Sequence, residues 1–228
     1  MPDDALPATP PRADAPGAFP DGAFPDGASP DAATLRARYG AALERSVKKD
    51  IGRLDKHCRD FIALSPFVVL ASSGAGGRVD ASPRGDAPGF VRVLDEHTVV
   101  LPDRLGNNRL DSLQNVAANP QVGLIFFVPG INETLRINGR ARITFEPAVL
   151  EPLAVGGKAP RSALVIEAEE VYFHCAKALI RSDLWNPEKQ VERRSFPSLG
   201  RILAEQIGGV DVKEAEASVE EGYRTRLY

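Results

Sequence analysis

Cysteine is nearly absent, with two residues in a chain of 228. That is too few for a disulfide framework. Cys58 and Cys175 each follow a histidine, His57 and His174. Adjacent residues seldom aim both side chains at one ion, and neither CxxC nor HxxxH spacing occurs, so buried thiols are expected and no metal. Long apolar runs are missing too: nothing approaches the roughly 18 residues that cross a bilayer. The opening MPDDALPATPPRADAPG has neither the basic start nor the apolar stretch of a signal peptide. A cytoplasmic protein with no membrane association is the expectation. A surplus of one charge is also lacking. The net charge is −3, and residues 1–32 hold six Asp against only Arg12, which leaves the remainder at +2. Bulk charge therefore gives no nucleic-acid signature, and only a local cluster could select an anionic ligand. No strand–helix–strand unit carries GxGxxG, which excludes a Rossmann reading.

What is present suits one globular domain with tails, with 43% apolar and 26% charged residues. Residues 1–32 read as a disordered spacer. GAFPD, GAFPD and GASPD follow one another between Gly17 and Asp31, and Pro and Gly at this density support neither helix nor ladder. The domain proper is expected over 33–210, with a charged tail over 211–228. TLRARYGAALERSVKKD predicts an amphipathic helix with Leu35, Tyr39 and Leu43 on one stripe. RLDKHCRDFIAL predicts a second, with Leu54, Cys58, Phe61 and Ile62 on one side. Both helices should pack onto the segments C-terminal to them.

From Ser65 the period becomes two. FVVLASS, RVDASPRGD, FVRVLD, HTVVLP, VGLIFFV (122–128), TLRINGRARITF (134–145) and SALVIEAEEVYF (162–173) read as strands. In RVDASPRGD, Val79, Ala81 and Pro83 face one way, and Arg78, Asp80, Ser82, Arg84 and Asp86 the other. VGLIFFV is apolar throughout, so both faces should be covered. Helical interruptions fall near 107–118, 147–154 and 175–184, with another helix over 198–208. Strands joined mostly by short turns imply a mainly β fold with flanking helices, antiparallel pairing and barrel closure.

The most informative segment is LPDRLGNNRLDSLQNVAANPQVGLIFF (101–127). A polar loop feeds a helix that Asn108 can cap, with Asp111 three positions on. Free backbone N–H groups, Asn107, Asn108 and the Arg109 fork converge there, which is what a phosphate needs. A capped surface helix would have the same residues. Ser82 and Arg84 lie two apart on one strand face and can bracket one anion; a solvated outer face is the bland alternative. Lys177 supplies a third basic group after the last strand.

GRVDASPRGD, LPDRLGNNRLDSLQNVAANPQVGL and TLRINGRARI, in this order, resemble the pyridoxamine 5′-phosphate oxidase-related FMN-binding family over about residues 61–175. The resemblance implies an antiparallel split β-barrel, a homodimer and FMN at the subunit interface. It places phosphate contacts on Ser82, Arg84, Asn107, Asn108 and Arg109, and a polar contact near the flavin ring on Thr134. The family's aromatic position falls on His174, which breaks the pattern. The Arg- and His-bearing motif that grips the substrate in pyridoxamine phosphate oxidases proper is replaced here by HCAKALIRSDLW, so their substrate does not carry over. The resulting expectation is an FMN-dependent oxidoreductase of unknown small-molecule substrate. In it Arg84, Arg109 and Lys177 neutralise the phosphate, Thr134 and His174 stand near the ring, and Trp185 either covers the pocket or simply packs. A non-catalytic flavin, deazaflavin or haem binder on the same barrel remains open.

Overall fold

The computed structural model describes residues 29–228. The spacer expected over 1–32 lies almost wholly outside them. Asp31 caps helix α1 (Ala32–Tyr39) by accepting from the Thr34 amide at 2.8 Å. The long amphipathic helix expected here does not form. Gly40, at φ +73°, ends α1, and a short α2 (Glu44–Lys48) comes after it. Leu35, Tyr39 and Leu43 are 46, 76 and 63% exposed, so this stripe does not pack on the domain. A glycine at the middle of the pattern outweighed its period. The next helix, α3 (Lys56–Leu64), behaves as its sequence predicts. Asp55 caps it, and Cys58, Phe61 and Ile62 are buried in the main core.

Seven antiparallel strands come next: β1 (Phe67–Ser73), β2 (Val79–Gly85), β3 (Arg92–Val93), β4 (Thr98–Asp103), β5 (Gln121–Val128), β6 (Ile131–Thr144) and β7 (Ser162–His174). They form one sheet in the order β2-β1-β5-β6-β7-β4-β3. Alternate residues turn inward: Val68 and Leu70, Leu124 and Phe126, Leu135 and Ile137 all enter one core with Val99 and Leu101. Helix α4 (Asp111–Ala118) adds Val116 to it. The second face of β5 is only half covered, since Gly123, Ile125 and Phe127 are partly exposed. Its continuous apolar run thus does not mean burial on both sides.

The NG step in β6 has a steric cause. Register between β6 and β7 shifts after Asn138, and a Cβ on Gly139 would lie 1.9 Å from the Glu167 carbonyl oxygen. Only glycine lets the two backbones approach there.

The barrel is split. The edge strands β2 and β3 do not pair with each other, so the closure expected from the turns is incomplete. The sheet nevertheless curls until the end of β2 meets the end of β4, where Arg104 Nε donates to Asp86 Oδ2 at 2.6 Å. Helix α5 (Pro147–Leu150) and the turn after it cover Val100, Ala163 and Val165 on the outer side. Helix α6 (Lys177–Ser182) leads away from β7 towards α7 (Leu199–Ile207). The stretch from 211, expected as a tail, is mostly helix α8 (Val212–Thr225), with Asp211 as its cap. It lies so close against α7 that a Cβ on Gly200 would meet the Glu216 Cα at 2.5 Å. Among the described residues no helix is long and apolar enough to cross a membrane.

Candidate functional site: a polar cleft at the split

The inward face of β2 is polar, which reverses the usual pattern. Asp80, Ser82 and Arg84 are half-buried, while Val79 on the other face is 72% exposed. These polar groups face a cleft of about 640 Å³ rather than the core. The opposite wall is the loop after β4 and the first turn of α4, with Arg161 at the side.

Arg84 is held in place by both walls. Its Nη1 donates to Ser82 Oγ at 2.6 Å, and its Nη2 donates to Ser112 Oγ at 3.3 Å. The Ser112 hydroxyl in turn donates to Asp80 Oδ2 at 2.8 Å. Ser112 is buried, so this relay fixes the guanidinium without removing all five of its donors.

The loop wall differs from its expectation. Asn108 does not cap α4, and the capping pair with Asp111 does not form. The N-cap is Leu110, at φ +62° and with no side-chain bond to the helix. Asn107 Oδ1 instead accepts from the Arg109 amide at 3.1 Å, and Asn108 is also left-handed at φ +58°. Asparagine tolerates that region; a leucine there costs about 1–2 kcal/mol. The first-turn amides of α4 are left without a side-chain acceptor, as at helix starts that receive an anion. Arg109 stands on the rim. Its side chain is 74% exposed and its Nε donates to Asp111 Oδ2 at 2.7 Å.

Two groups of this cleft have no motif in the sequence. Asp103, at the end of β4, has its carboxyl pushed above the ordinary range by burial, with Arg84 and Arg161 pulling the other way. Arg161 immediately precedes Ser162, the cross-strand partner of Asp103, which brings its charge to the cleft. Strand pairing alone could have located it, once β4 was matched with β7.

Ser82, Arg84, Asn107, Asn108 and Arg109 are thus brought together around one cleft. Thr134, His174 and Lys177 are not. Thr134 and His174 are direct cross-strand partners on β6 and β7, and Lys177 opens α6 just beyond. β6 is three strands from β2 in the sheet order, roughly 14 Å at the usual spacing. Thr134 is buried and His174 exposed. Trp185 packs at this second place, its Nε1 donating to the Ile131 carbonyl at 2.9 Å, and does not line the cleft. Of the two cysteines, Cys58 is buried, and burial pushes its thiol up to about 12, whereas Cys175 is exposed, contrary to the expectation of two buried thiols.

The open antiparallel sheet, curled to a split with a polar cleft across it, is a split-barrel fold with flanking helices. A family model for pyridoxamine 5′-phosphate oxidase matches residues 54–175, just over half of the chain. The chain belongs to that family. No curated protein matches it. Among solved structures it is similar to HupZ of Group A Streptococcus, at 17% identity and a TM-score of 0.44 over 52% of this chain and 92% of that one. It is also similar to a Clostridium acetobutylicum protein related to general stress protein 26 (pyridoxinephosphate oxidase family), at 17% identity and a TM-score of 0.39 over 52% and 85% of the two chains. A third, Rv2991 from Mycobacterium tuberculosis, has 14% identity and a TM-score of 0.41 over 67% and 93%.

Proposed function

We propose that the protein is an FMN-binding flavoprotein that acts as an oxidoreductase on a small molecule, as a homodimer. Members of its family commonly bind flavins. The observation that carries the reading for this chain is Arg84, fixed between Ser82 and Ser112 beside the uncapped start of α4. A doubly charged phosphate fits that donor set: a planar guanidinium, the Ser82 hydroxyl, and amides at the positive end of a helix. The cleft's volume is in the range of small-molecule sites.

In this reading Ser82, Arg84, Asn107, Asn108 and Arg109 hold the phosphate end. Arg161 adds positive charge, and Asp103 accepts from ligand hydroxyls or holds a proton at the cleft floor. Bound FMN supplies the redox chemistry; the chain binds it, orients it and excludes water. Thr134, His174 and Lys177 lie too far round the sheet to serve the same phosphate in one chain. They are assigned to the ring end of a cofactor shared between two chains, with the half-exposed Ile125 and Phe127 face of β5 as the apolar contact.

The test is a titration of the purified protein with FMN and with riboflavin, followed by addition of NADH or NADPH to the loaded protein. Flavin absorbance bands, FMN preferred over riboflavin and bleaching by a reduced nucleotide are expected. Equal affinity for the two flavins would remove the phosphate role. Tight FMN that no nucleotide reduces would favour a non-catalytic carrier.

A further inference from the structure

The two walls of the cleft belong to strands that no backbone ladder joins. β2 is one edge of the sheet, and β4 stands next to the other. Side chains cross the gap: the Arg84–Ser112–Asp80 relay does so inside the cleft, and the Asp86 carboxylate does so at its end. Asp86 comes directly after β2, and its side chain is 2% exposed. Its Oδ2 accepts from Arg104 Nε at 2.6 Å, and its Oδ1 accepts from the Tyr228 hydroxyl and the Ala87 amide, each at 2.7 Å. Arg104 begins the loop after β4, and its Nη1 donates to the Leu153 carbonyl at 2.8 Å. Tyr228, beyond α8, sets its ring 6.0 Å from the Arg104 guanidinium carbon, and its backbone carbonyl accepts from Lys158 Nζ at 3.3 Å.

A buried ion pair is weak evidence for stability, since desolvation offsets much of its attraction. Its placement says more. Arg104 is three residues before Asn107, and Asp86 two residues after Arg84. The distance between these two ends therefore limits, together with the Arg84–Ser112 contact, how far β2 stands from the 104–110 loop. Both carboxylate oxygens of Asp86 are committed, so the contact has one geometry rather than many.

We propose that Asp86, Arg104 and Tyr228 form a latch across the split of the barrel, positioning the 104–110 loop against β2 so that both walls engage one anionic group. The role in ligand binding rests on the phosphate reading above; the latch itself does not. The three are positioning residues. Tyr228 is the least expected of them, since it lies 142 residues from Asp86 and ties the segment after α8 to the cleft.

The full chain and its variants Tyr228→Phe, Asp86→Asn, Arg104→Met and Arg104→Lys are compared by two readouts. One is amide hydrogen exchange across 104–110; the other is affinity for FMN and riboflavin by quenching of flavin fluorescence. Asp86→Asn and Arg104→Met are expected to speed loop exchange and weaken FMN by about tenfold, with riboflavin unchanged. Arg104→Lys should recover part of the loss. Tyr228→Phe removes one hydroxyl, keeps the buried charges paired, and should move both readouts the same way by a smaller factor. It serves if the charge variants do not fold. Loop exchange and FMN affinity at wild-type levels in Tyr228→Phe and Asp86→Asn would overturn the latch. Faster exchange with unchanged FMN affinity would also overturn it, because the contact would then be merely stabilising. If the wild type binds no FMN, the proposed function fails, and loop exchange alone still decides whether the latch holds the wall.

Discussion

The two sides of this barrel are built differently. On one side β5, β6 and β7 form continuous ladders, with β6 running for 14 residues and its inward side chains buried. On the other, β2 and β4 meet only through side chains, and the inward residues of β2 are charged or hydroxylic. Backbone ladders and apolar packing make the first side a source of stability. The junction between β2 and β4 has no ladder and is lined by polar groups, so it can hold groups that would be costly in a core but are useful to a ligand.

That division predicts which substitutions unfold the protein and which only empty it. The largest effect on stability is expected at Gly139. An alanine there drives a methyl into the Glu167 carbonyl, and should cost about 3 kcal/mol or more in chemical denaturation, with strand slippage as the alternative. An unchanged unfolding midpoint would show that the ladder side is more pliable than its bulge implies. Arg84→Ala comes next, with a contrasting profile: FMN binding weaker by about ten- to a hundredfold, and thermal stability nearly that of the wild type. Arg109→Ala should weaken FMN less, because its side chain is exposed on a loop and already paired with Asp111. Arg109→Lys should lie between it and the wild type. If Arg109 proves the stronger of the two, the loop wall rather than the strand wall organises the site.

Two carboxyls of the split side have shifted pKa values in opposite directions, Asp103 upward and Asp86 downward, and Asp86 governs the dependence in stronger acid. Burial alone would raise its pKa, but hydrogen bonds from Tyr228, the Ala87 amide and Arg104 outweigh it and hold the carboxyl below its usual range. A depressed carboxylate contributes stability above its unfolded value of about 3.9, and loses it as pH falls through the lower folded value. The melting-temperature gap between the wild type and Asp86→Asn should therefore be steady from neutral pH down to about pH 4 and shrink only in stronger acid. A gap that closes near neutral pH would assign it to another group. The smallest effect is expected from Leu110→Gly, which relieves a left-handed leucine and should stabilise the fold by about 1 kcal/mol or less. A clear loss would mean that the Leu110 side chain matters more than its backbone.

The sequence made the ladders legible because alternation survives without tertiary context: FVVLASS, RVDASPRGD and SALVIEAEEVYF all fall on strands. It also showed that Ser82 and Arg84 share a face. It did not show that this face turns inward, which depends on where the sheet curls. Ser112, Asp103 and Arg161 escaped because they reach the cleft through pairings between distant segments. Asp86 and Arg104 lie 18 residues apart with no common period. In the helices the errors were local. Gly40 broke a stripe that looked continuous, and the many charges of KEAEASVEE hid Val212, Ala215 and Val219, which recur at helical spacing and are half-buried.

What Arg84 holds decides what this cleft is for. The most direct measurement is the ratio of FMN to riboflavin affinity in the wild type and in Arg84→Ala, at fixed ionic strength. A cleft built for phosphate gives a high ratio in the wild type that drops towards unity in the variant, while riboflavin affinity stays the same in both. Equal ratios in the two proteins, or a parallel loss of both flavins, would contradict the phosphate role.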